Sequence, residues 1–95
     1  MSDIIEQAVS ALSEKLGGGI DGSVKFVLTG TGSIVVDDQG VRAGDDETDV
    51  TLTADPDIFR DILDGNLNPT SAFMTGKLAV DGDMGMAMKL GSLLG

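Results

Sequence analysis

A chain of 95 residues is bounded to one domain, spanning 1–95, with an apolar core of modest size. Sixteen acidic residues against six basic ones leave a net charge of −10, and a chain so poor in Lys and Arg excludes a phosphate-reading nucleic-acid partner. Histidine, cysteine, tyrosine and tryptophan are all absent, which removes the imidazole base and metal ligand, the thiol nucleophile, the phenolic acid and any disulfide together.

From Asp3 to Leu16, Ile4, Ile5, Ala8, Val9, Ala11, Leu12 and Leu16 share one helical face, and Glu6, Gln7, Ser10, Ser13 and Glu14 share the other. That period predicts an amphipathic helix, ended by Gly17-Gly18-Gly19, because glycine accepts the left-handed conformation common at helix termini. Met1 to Leu16 has neither a basic start nor an unbroken apolar run, so no secretory signal or transit peptide is read in it. With no stretch approaching transmembrane length, a soluble cytoplasmic protein is expected.

The period then changes to two. Val24, Phe26 and Leu28 alternate with Lys25 and Thr29, and beyond a Gly30-Thr31-Gly32 turn Ile34 and Val36 alternate with Ser33 and Asp37, which predicts a hairpin. Asp38-Gln39-Gly40 turns the chain into a short, weak strand at Val41 to Ala43, and an acidic loop from Asp45 to Asp49 leads to a clearer strand at Val50 to Thr53. Four strands in antiparallel succession are the economical reading.

Asp55-Pro56-Asp57 starts a helix, with Asp55 as the cap accepting backbone N–H groups and Pro56 at the first helical position, and Gly65 stops it. Ile58, Phe59, Ile62 and Leu63 give this helix a compact apolar face. Asn68-Pro69 repeats the pattern for a short helix carrying Ala72, Phe73 and Met74, and Leu78 and Val80 then alternate as a fifth strand. Asp83 caps a terminal helix running from Met84 to Leu94. The order α-β-β-β-β-α-α-β-α fits an α+β domain, with helices on one face of a five-stranded, mostly antiparallel sheet.

The terminal helix has an unusual surface. At about 100° per residue, Gly85, Lys89 and Ser92 occupy one narrow sector, and Met84, Met86, Ala87, Met88, Leu90, Leu93 and Leu94 fill the rest, an arc wider than packing on one sheet requires. Met84, Met86, Met88 and Met74 are unbranched and polarizable, and suit a surface that remoulds around differing apolar shapes. Pattern alone leaves three uses open for this arc: plain core, ligand lining, or an association face.

The string Asn68-Pro69-Thr70-Ser71-Ala72-Phe73-Met74-Thr75-Gly76-Lys77-Leu78, followed by Gly82-Asp83-Met84-Gly85-Met86-Ala87-Met88-Lys89-Leu90, resembles the C-terminal half of the sterol carrier protein type 2 family. Weaker similarity in element order covers most of the chain. The resemblance implies the same five-stranded fold and an apolar tunnel holding fatty acyl chains, acyl-CoA or sterols, and the composition adds the expectation of no catalytic residue, cofactor or metal. On that basis Phe59, Ile62 and Leu63 of the second helix, Phe73 and Met74 of the third, and Met84, Ala87, Met88, Leu90 and Leu94 of the last are expected to line the tunnel. The terminal helix, loosened by Gly85 and Gly91, is the expected lid. With Phe26, Phe59 and Phe73 the only rings, flexible acyl chains are favoured over flat sterols. Animal relatives often end in a peroxisomal S-K-L address, whereas this chain ends Ser92-Leu93-Leu94-Gly95, so delivery by that signal is not expected.

Other motifs do not carry chemistry. Asp81-Gly82-Asp83 has Ser92 where a calcium loop needs its bidentate Glu, and Gly30-Thr31-Gly32 lacks the third glycine and the helix of a dinucleotide site. Asp45-Asp46-Glu47-Asp49 reads as a solvated loop before it reads as a cation site. Ser71 with Lys77, or Ser92 with Lys89, would supply a hydroxyl and an amine, but no spacing pairs them for catalysis. The expected partner is a small apolar lipid, with transient contact to a membrane or a lipid enzyme, and a monomer is expected over a dimer. The competing reading is an interaction or dimerisation module attached to a lipid-metabolising enzyme. A tunnel of about 400 Å³ left empty would cost on the order of 10 kcal/mol, so the ligand would act as part of the core.

Overall fold

The computed structural model of the protein describes residues 3–17 and 19–94; the side chains of Asp3 and of residues 92–94 lie outside that description. The elements are α1 (Asp3–Leu16), β1 (Val24–Leu28), β2 (Gly32–Asp37), β3 (Gly40–Ala43), β4 (Val50–Ala54), α2 (Pro56–Leu63), α3 (Pro69–Met74), β5 (Leu78–Gly82) and α4 (Met84–Leu94). They follow the expected α+β order.

The five strands are arranged β3-β2-β1-β4-β5. Pairings β1–β2, β2–β3 and β4–β5 are antiparallel, but β4 does not follow β3 in the expected succession: it lies parallel to β1, between β1 and β5. Burial explains the choice. Val24, Phe26 and Leu28 of β1 and Val50, Leu52 and Ala54 of β4 are all buried, whereas Arg42 and Ala43 of β3 are exposed. The three strands that each bury three side chains, β2, β1 and β4, take the interior positions, and β3, which buries none, takes an edge. The chain between β3 and β4 crosses the sheet face opposite the helices. There Gly44 lies against Val35, its N–H donates to the Ser33 carbonyl (3.1 Å), and Lys25 Nζ pairs with Asp45 (2.9 Å).

On the helix side, pairing register aligns Ile34, Phe26, Leu52 and Val80 in one row across four strands. The helices cover this face. Ile5, Ala8 and Leu12 of α1 are buried in a core shared with Phe59 and Ile62 of α2, Ala72 of α3 and Leu90 of α4. Phe59 packs tilted on Phe26, with ring centroids 5.1 Å apart and planes at 53°.

Local chemistry fixes the helix ends. Gly17, at φ +74°, donates its N–H to the Ser13 carbonyl (2.9 Å) and closes α1. Asn68 caps α3, its Oδ1 accepting from Thr70 N–H (2.8 Å) and Ser71 N–H (3.4 Å), and Asp83 Oδ1 accepts from Met86 N–H (3.2 Å) at the start of α4. Asp55 differs from expectation. Its side chain makes no cap bond and instead accepts from the Thr29 hydroxyl, tying the end of β1 to the entry of α2, while Pro56 still occupies the first turn. In the β2–β3 hairpin the Gln39 N–H and the Arg42 guanidinium hold the Asp37 carboxyl below the ordinary aspartate range. Arg42 also reaches Asp46 (2.9 Å), so the acidic loop is tethered to the sheet at two points.

Candidate functional site

A cavity of about 240 Å³ lies between the sheet and helices α2, α3 and α4. Its floor is the cross-strand row of Phe26, Leu52 and Val80, joined by Leu78. Phe59 and Ile62 of α2 form one wall, Pro69, Thr70, Phe73 and Met74 of α3 a second, and Met84, Ala87, Met88 and Gly91 of α4 the third. Depth and burial run together: Phe26, Phe59 and Ile62 are 3–4% exposed, whereas Phe73, Met84, Met88 and Met74 reach 41%, 44%, 70% and 79% at the mouth.

Each wall follows from local sequence. In α3 the buried Ala72 anchors the single turn, so the two following residues, Phe73 and Met74, are carried to the rim. Gly76, at φ +79°, then turns the chain, and the Lys77 N–H donates to the Ala72 carbonyl (2.9 Å) to launch β5. In α4, Met84, Ala87, Met88 and Gly91 recur at i, i+3, i+4 and i+7 and form one stripe toward the cavity. Leu90 points elsewhere, into the core, and the Met86 Cε packs over Gly22, leaving no room for a Cβ there. Three separate surfaces therefore share the wide apolar arc of this helix.

Of the residues expected to line a tunnel, Phe59, Ile62, Phe73, Met74, Met84, Ala87 and Met88 come together around this cavity. Leu63 does not, because it lies on the other side of α2 against α1. Leu90, 1% exposed, belongs to the core. The side chain of Leu94 is outside the described residues. The residues of the sheet floor are not legible in the sequence, because the Phe26–Leu52–Val80 row exists only once β4 pairs with β1. Gly91 was also missed, although it completes the i+7 position from Met84. The cavity is smaller than the roughly 400 Å³ expected, and its exposed rim leaves it a pocket with a mouth.

Among the described residues, Thr70 is the one lining residue with a polar side chain, and no lining residue is charged. Such a surface offers no proton donor or acceptor matched to acid–base work, and it favours hydrocarbon over any polar solute. No helix among the described residues is long and apolar enough to cross a membrane.

Residues 3–95 match the model of the SCP-2 sterol transfer family. Among curated proteins, the chain is 38% identical over 99 residues to hydroxysteroid dehydrogenase-like protein 2 of Xenopus laevis, covering 96% of this chain and 23% of that protein. It spans less than a quarter of the length of the curated relatives it matches. Among solved structures, it resembles sterol carrier protein 2 of Aedes aegypti in complex with palmitate (TM-score 0.80, 24% identity, 99% and 96% of the two chains). It also resembles palmitated SCP2L2 of the same species (TM-score 0.70, 25% identity, 99% and 95%). With a family match over nearly its whole length and the fold of these carriers, the chain belongs to the SCP-2 sterol transfer family.

Proposed function

We propose that this domain is a non-catalytic, intracellular lipid carrier that takes the hydrocarbon part of one acyl lipid into the cavity between the sheet and helices α2 to α4. The carrying observation is the cavity itself: among the described residues a lining with one hydroxyl and no charge, graded from the buried Phe26, Leu52, Phe59 and Ile62 to a methionine mouth. The palmitate in two structurally similar carriers supports the same ligand class.

At about 240 Å³ the space is below the ~300–1,000 Å³ of pockets that bury most of a drug-sized ligand. Uptake therefore requires the mouth to yield, and Met74, Met84 and Met88 can change rotamer at low cost. Helix α4 acts as the lid. Each buried methylene contributes about 0.8 kcal/mol before association and ordering costs are subtracted. With no charge inside the cavity, affinity follows chain length more than head-group chemistry, and flexible acyl chains are preferred to rigid sterol rings.

Titration with a fluorescent fatty acid tests this reading. Saturable one-to-one binding that tightens with chain length is expected, and absence of saturation removes the carrier function. A second reading rests on the exposed Phe73, Met74, Met84 and Met88: the same rim would dock another copy or a lipid-metabolising enzyme. A ligand-free dimer in solution would be its signature.

A further inference from the structure

A second cavity, of about 110 Å³, lies between α1 and α2. On α1 it is lined by Ile4, Gln7, Ala8 and Ala11, whose i, i+3, i+4, i+7 spacing aims one stripe at α2. Ala8, Ala11 and Leu63 make an apolar floor, and Gln7, Arg60 and Asp64 stand exposed at its rim. Phe59 is the single residue that lines both this cavity and the larger one. One phenyl ring, 4% exposed and packed tilted on Phe26, forms the shared wall.

We infer that Phe59 is a partition that sets the length of hydrocarbon chain the domain accepts, and that the α1–α2 cavity, apolar at its floor and polar at its rim, is a subsite for the far end of a longer chain. This rests on the acyl-carrier reading and adds the residue that limits it. Chain growing past the first cavity meets the Phe59 ring, so in the wild type added methylenes gain no burial. Removing the ring opens nearly half as much space again, bounded on α1 by Ala8 and Ala11 between Ile4 and Gln7. The ring has no polar group, so displacing it breaks no hydrogen bond.

The test measures binding of saturated fatty acids across a series of chain lengths, for the wild type, Phe59→Leu, Phe59→Met and Phe59→Leu/Ala11→Met. Wild-type affinity is expected to rise with length and then level off. In Phe59→Leu the levelling point moves to chains longer by about two carbons or more, with Kd falling up to about fourfold for each methylene newly buried. Phe59→Met, which keeps most of the volume on a flexible stem, is expected to shift in the same direction and serves if the leucine variant fails to fold. Ala11→Met fills the second cavity from α1 and is expected to return the levelling point to its wild-type position. A folded Phe59→Leu or Phe59→Met with an unmoved levelling point overturns the partition, as does a shift that Ala11→Met fails to reverse. A wild type that binds no fatty acid of any length instead overturns the carrier reading beneath it.

Discussion

Met74 and Met88 leave 79% and 70% of their surface in water, an arrangement that a finished core would not need. In the proposed carrier, the same exposure at the mouth of an apolar cavity would let the thioether chains part for a ligand and close over it. Met88→Asp places a carboxylate at that mouth, where solvent can still reach it, so folding should survive while hydrocarbon entering the cavity meets a charge. Fatty-acid affinity is expected to fall about tenfold or more, equivalent to about 1.4 kcal/mol, with little change in melting temperature. Unchanged binding would place the site away from α4. Residue by residue, side chains on amphipathic helices were legible because helical period fixes their neighbours. Phe59 and Ile62 on one side of α2, and Met84, Ala87 and Met88 on α4, all face the cavity. Leu90 was misplaced because an arc that is apolar nearly all round does not say which side meets the core and which the cavity.

Helix α4 does three jobs with eleven residues: it walls the cavity, buries Leu90, and seats Met86 on Gly22. Gly91, in the cavity stripe, has a low intrinsic helix propensity. An added Cβ at Gly91 would lie 3.6 Å from Pro69 Cβ, an ordinary contact that would bridge α4, the proposed lid, to α3. Gly91→Ala is therefore expected to stabilise the helix by about 0.4–1 kcal/mol. A thermal melt should rise by roughly 2–8 °C, and ligand exchange followed by stopped-flow fluorescence should slow. A lower melting temperature, or exchange as fast as in the wild type, would contradict the lid. Element boundaries were readable from caps and glycines at Asn68, Gly76 and Asp83, where the local chain supplies its own hydrogen bonds. Strand order was not. The parallel β1–β4 pair joins residues 26 apart through burial of two apolar strands, and no local signal in β4 distinguishes β1 from β3 as its neighbour. Asp55 shows the same limit: its cap position was correct, but Thr29, remote in sequence, claims its carboxylate.

For the molecule as a whole, the cavity is a gap in the core of a small acidic domain with a net charge of −10. Were the 240 Å³ fully enclosed and empty, it would cost about 6 kcal/mol, comparable to the total stability of many domains. The open rim relieves part of that cost, and a bound hydrocarbon would relieve the remainder while stabilising the fold by mass action. On the carrier proposal charge would have a matching role, since a net charge of −10 would oppose self-association through the exposed methionine mouth. Native mass spectrometry of the protein as purified tests this most directly. The expected spectrum is a monomer carrying one equivalent of heterogeneous lipid mass, which organic extraction removes and palmitate restores. A single ligand-free mass that palmitate does not shift would contradict the account.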